Sequence, residues 1–112
     1  MANKRRQMNR VTIRGELMDA PEITDTRSGA PVANMRILVP SRDQGAQFYM
    51  FNVRAYDDPA VEIDKAEYMA GDEVEVHGFL KQERWTHRTT GEDVSRVVIM
   101  SRKTQMVTDD NA

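Results

Sequence analysis

Phe48-Tyr49-Met50-Phe51-Asn52-Val53-Arg54-Ala55-Tyr56, followed at once by Asp57-Asp58-Pro59, is the stretch on which the fold turns. Side chains along a strand alternate between its two faces. One parity holds Tyr49, Phe51, Val53 and Ala55, a set suited to a core. The other holds Phe48, Met50, Asn52, Arg54 and Tyr56, which mixes flat or polarizable groups with an amide and a guanidinium. The next residues change the pattern. Asp57 or Asp58 suits a helix cap, and Pro59 suits the first turn, where its missing N–H costs nothing.

Working outward, Met8–Leu17 alternates Val11, Ile13, Gly15 and Leu17 against polar neighbours, the period of a half-buried strand. Asp19-Ala20-Pro21 interrupts it, and Thr26–Pro31 is turn chemistry around Gly29. Val32–Val39 reads as the second strand, ended by Pro40, and Gln47–Tyr56 as the third. The helix that follows has an apolar stripe of Ala60, Ile63, Ala66 and Met69, with Gly71 as its left-handed stop. Glu73–Trp85 is the fourth strand, with Val74, Val76, Gly78 and Leu80 inward and Phe79, Lys81, Glu83 and Trp85 outward. Gly78 marks a bulge or bend in it. A polar hairpin over Thr86–Asp93 leads to the fifth strand, Val94–Val107. This order predicts an all-β fold with one small helix. It is the chain order of the OB-fold, a five-stranded Greek-key barrel with the helix between strands 3 and 4.

The 112 residues make one domain. The expected division is a flexible basic arm over 1–7, a domain over 8–107 and a short end over 108–112. No apolar run is long enough to span a bilayer, and the N-terminus has no apolar signal core. The chain has no cysteine, so disulfides and thiolate metal sites are excluded, and a cytoplasmic location is expected. Net charge is −2, unlike a strongly basic nucleic-acid binder. The charge is uneven, however: residues 1–56 hold 9 Lys/Arg against 5 Asp/Glu, and residues 57–112 hold 7 against 13. The acids cluster between Asp57 and Glu75, a pattern that fits a solvated helix face.

The two histidines, His77 and His87, have no second ligand at metal spacing, and no P-loop, zinc or nucleophile-elbow motif is present. The chain is therefore read as a binding protein and not an enzyme, with no cofactor. The mixed face of the third strand suits single-stranded nucleic acid, because aromatic rings stack bases while cations neutralise phosphate.

Asn9–Leu17 resembles the opening strand of bacterial and phage-type single-stranded DNA-binding proteins. Ala20-Pro21-Glu22-Ile23 is similar to an element that follows it in that family, and Gly29–Met35 resembles the second strand. Phe51–Tyr56, Gly71–Leu80 and Arg84-Trp85-Thr86 resemble the third strand, the fourth strand and the motif before the hairpin. The resemblance covers residues 8–107. It implies an OB-fold homo-oligomer, a tetramer with a dimer as the other state, that coats single-stranded DNA without strong sequence preference during replication, recombination or repair. It places Trp85 and Tyr56 at stacking positions and Met50 where an aromatic is common, with Phe48 beside it.

Arg54 and Arg84 are the leading cations for phosphate. Arg10, Arg36, Lys81 and Arg96 extend the track, with Arg5 and Arg6 on the arm and Asn52 on the stacking face. Phe79 is assigned to packing, and outward Phe79, Val98 and Met100 are expected to be covered by a second copy. The acidic tail with an apolar tip that the family uses to recruit replication proteins has no counterpart here. This points to a phage- or plasmid-type variant. It also keeps a second reading open: a primosomal-type interaction module that bridges replication or recombination proteins and binds nucleic acid weakly.

Overall fold

The computed structural model describes residues 7–45 and 47–108. Its elements are β1 (Val11–Leu17), β2 (Glu22–Asp25), β3 (Pro31–Pro40), β4 (Phe48–Tyr56), α1 (Asp58–Ala66), β5 (Glu73–Thr86) and β6 (Asp93–Met106). The predicted strands and helix are all present, with one addition. Glu22–Asp25 forms a short antiparallel ladder with Pro31–Asn34, turned back through Thr26–Ala30. Thr26 N–H donates to the Ala30 carbonyl at 2.8 Å, and the Thr26 hydroxyl accepts from Ala30 N–H at 3.1 Å. The count of five strands is thus corrected to six among the described residues. The added strand renumbers the expected strands 3 and 4 as β4 and β5, and the helix lies between them.

The strand order is β1-β5-β6-β4-β3-β2, and β1 also pairs with β3 through Glu16–Leu38 and Leu17–Ile37. β3 is long enough to hold β2 along its first half and β1 along its second. Gly15 permits that approach. A Cβ there would stand 2.2 Å from the Leu38 carbonyl oxygen.

The core is the inward parity of these strands together with one face of the helix. Leu17, Met35, Ile37, Val53, Val74 and Val76 are each at most 2% exposed, and Ala60 and Ile63 close over them from α1. Full burial of each large aliphatic side chain contributes about 1.5–3 kcal/mol. The helix itself departs from the sequence reading. Asp57 occupies the cap position with φ 57° but makes no side-chain cap bond. Its N–H instead donates to the Pro31 carbonyl at 3.1 Å, tying the turn to β3. The left-handed stop is Glu67, not Gly71. Gly71 serves the next turn, with φ 89° and its N–H donating to Leu17 O at 2.8 Å. Met69 therefore lies outside the helix and is exposed, while Tyr68 is buried and donates to Thr104 O at 3.3 Å.

β5 and β6 are 14 residues each, twice the length of β1, and their far ends outrun the core. Leu80 has the core-facing parity, yet it is 45% exposed for this reason. The bulge expected at Gly78 is present: His77 faces Lys103 and Gly78 faces Ser101, leaving Arg102 unopposed. Val98 and Met100, expected to need a second copy, are already buried within the single chain. β6 is a central strand, and rows of side chains from β5 and β4 flank it. Exposure of those two residues therefore gives no argument for an oligomer.

Candidate nucleic-acid interface

Register places the mixed residues of four strands on one face. Asn34 and Arg36 of β3 sit opposite Arg54 and Asn52 of β4, and Leu38 and Pro40 sit opposite Met50 and Phe48. On the neighbouring hairpin, Trp85, Glu83, Lys81 and Phe79 of β5 face Val94, Arg96, Val98 and Met100 of β6. Parallel pairing of β4 with β6 brings the two halves together. A groove of about 350 Å³ runs between them, lined by Asn34, Arg36, Asn52, Arg54, Arg96 and Val98 among others.

The aromatic groups of this face come from β4 and β5. Trp85 is 43% exposed near the tip of the β5–β6 hairpin. The Arg96 guanidinium lies over its ring, 5.4 Å from the centroid, within the range of a cation–π contact. Phe48 and Met50 are exposed at the start of β4, which the parallel register with β6 directs toward Val94 and Arg96. Tyr56 is half-buried where β4 turns into the helix. All four have the outward parity of their strands and are exposed or half-buried.

The cations are more constrained than the sequence suggested. Arg54 is mostly buried and pairs with Glu83, while its Nε donates to Asn34 Oδ1 at 3.0 Å. Arg96 donates to the other oxygen of Glu83 at 3.2 Å. Arg36 pairs with Asp19, and that contact holds the Asp19 carboxyl below its ordinary value while raising Arg36. Each arginine lining the groove thus has a carboxylate partner. Lys81 and Arg10 are exposed and take part in no ion pair among the described residues. Arg84 points away from Trp85, as adjacent strand residues must, and its guanidinium donates to Gln82 Oε1 at 3.0 Å. Arg5 and Arg6 lie outside the described residues.

Two features of this face escaped sequence reasoning. Phe79, assigned to packing, is half-buried, and Arg102 lies over its ring at 4.9 Å. This repeats the Trp85–Arg96 arrangement along the same row of β5. The period-2 parity held the signal, since Phe79 and Trp85 are six residues apart. The other feature is Glu83, whose role depends on contacts between β4, β5 and β6 that no local pattern encodes.

The family-level resemblance is borne out. The sequence matches the single-strand binding protein family over residues 8–107, nearly the whole chain. A search of curated proteins finds no match. The mostly β architecture with one short helix is consistent with the family match. By that match, the chain belongs to the single-strand binding protein family.

Proposed function

We propose that the chain coats single-stranded DNA with little sequence preference, in replication, recombination or repair. The observation that supports this best is the half-exposed Trp85 with Arg96 over its ring, in the same row as Phe79 with Arg102. Aromatic rings with interleaved cations accept any base by its π face and any phosphate by its charge. Trp85, Tyr56, Met50 and Phe48 supply stacking surface. Arg96, Lys81, Arg10, Arg36 and Arg54 supply charge, Asn52 an amide, and Arg5 and Arg6 extend the track from the arm, while Arg84, on the opposite face of β5, is left out of it. On this reading residues 8–107 are the binding domain. Strands β1, β5, β6, β4 and β3 form an OB barrel, with β2 as an outrigger on β3. The domain assembles as a homo-oligomer, a tetramer in preference to a dimer, which lengthens the path for DNA.

Fluorescence anisotropy of labelled oligo-dT tests this. Binding that mixed-sequence single strands compete away, and duplex does not, is the expected result. Equal competition by duplex would overturn it. The compensated groove arginines favour a second reading, the interaction module with weak DNA affinity. Feeble DNA binding together with stable capture of a purified replication protein would select it.

A further inference from the structure

Glu83 stands on the outward parity of β5, among the cations of the proposed interface. One carboxylate oxygen pairs with Arg54 and the other accepts from Arg96 at 3.2 Å. The Arg54 and Glu83 side chains are each 19% exposed, and Arg96 is 50% exposed. Two anionic oxygens, each facing a guanidinium, reproduce the charge pattern that a phosphodiester would present to the same two residues. The cations best placed on this face already have an anion built into the fold.

We propose that Glu83 is an internal counter-anion that sets the affinity of the face for single strands. It occupies Arg54 and Arg96 and competes with phosphate for both, so that neither arginine is fully available to DNA while Glu83 holds it. This rests on the DNA-coating reading and names the residue that limits it. The same carboxylate repels an approaching phosphate. Arg96 links the two sides of the exchange, since it touches both Glu83 and the Trp85 ring. Movement of Arg96 onto phosphate would alter the indole's surroundings, so charge exchange and base stacking are coupled at one side chain.

The alternative role for Glu83 is to hold the two arginines in a productive pose, and it predicts the opposite sign. Glu83→Gln keeps the side-chain shape and one acceptor but removes the charge. The test compares oligo-dT binding by the wild type and by Glu83→Gln across salt, with thermal unfolding of both proteins as a folding control. Each arginine that Glu83 withholds from phosphate in the wild-type complex should, once released, steepen the log–log salt slope by about 0.7 and tighten binding about fivefold near 0.1 M salt. A second pair, Arg54→Gln against Arg54→Gln/Glu83→Gln, releases Arg96 alone and should show one such increment even if the first variant folds poorly. Equal or weaker binding with an unchanged slope, while the wild type binds well, would overturn the counter-anion and leave the coating reading standing. No binding by any variant at low salt would overturn both.

Discussion

Arg96 lies over the indole of Trp85, its guanidinium carbon 5.4 Å from the ring centroid. The two residues sit on neighbouring strands, on the same face of the long hairpin. Base–aromatic stacking contributes about 1–3 kcal/mol per base. Trp85→Ala should therefore weaken oligo-dT binding by about that amount, and Trp85→Phe by less. Anisotropy titration measures both. Unchanged affinity in Trp85→Ala would remove Trp85 from the interface.

Phe79 under Arg102 is expected to be a second, weaker platform. Half-burial leaves it less ring surface than Trp85. Phe79→Ala should reduce affinity by about 1 kcal/mol, toward the lower end of the stacking range. It should also shorten the length of strand occluded per subunit. A stoichiometric titration gives that length, and the wild-type value in Phe79→Ala would confine the track to the Trp85 end.

Gly15 tests the approach of β1 to β3. A Cβ there would stand 2.2 Å from the Leu38 oxygen and 2.8 Å from Ile37 Cγ2. The first neighbour is backbone and cannot rotate aside. Gly15→Ala should destabilise the fold by about 1–3 kcal/mol, the usual range for overpacking. Urea unfolding followed by circular dichroism reads the change. A shift under a few tenths of a kcal/mol would mean the two strands can separate at little cost.

Glu75 gives a pH dependence with a definite sign. Its carboxyl is held below its ordinary value by the Arg14 hydrogen bond, and then by that of His77. A carboxylate with a lowered folded-state value stabilises the fold above its unfolded value, about 4.3. That contribution is lost as pH falls from there through the folded value. Melting temperature should drop on acidification below pH of about 4.3, and Glu75→Gln should make that acid limb shallower. Parallel acid limbs in the two proteins would refute the assignment.

Much of this fold was legible because its strands obey period-2 alternation. The β4 parity separated Val53 and Ala55, both buried, from Phe48 and Met50, both exposed. Four-residue β2 was not legible. Ile23 is its only large apolar residue, and its pairing depends on the turn at Thr26. Gly71 drew the helix stop too far along, because the chain accepted a left-handed Glu67 and buried Tyr68 instead of Met69. At the interface, Trp85 is visible as an outward aromatic, but the sequence marks the adjacent Arg84 as a leading phosphate cation and gives no sign of Arg96 over the ring. Alternation sends the Arg84 side chain to the opposite face, and the partner comes from the next strand. The Glu83 pairs were invisible for the same reason: they need the register between β5 and β6 and the parallel contact of β6 with β4.

Trp85 is the sole tryptophan, so its fluorescence reports one position per subunit. The most direct measurement is its emission during titration with oligo-dT at low and high salt, with duplex DNA as control. Strong quenching by single strands that fades with salt and is absent with duplex is the expected result, and saturation gives the site size. Unchanged emission together with no binding at low salt would contradict the account.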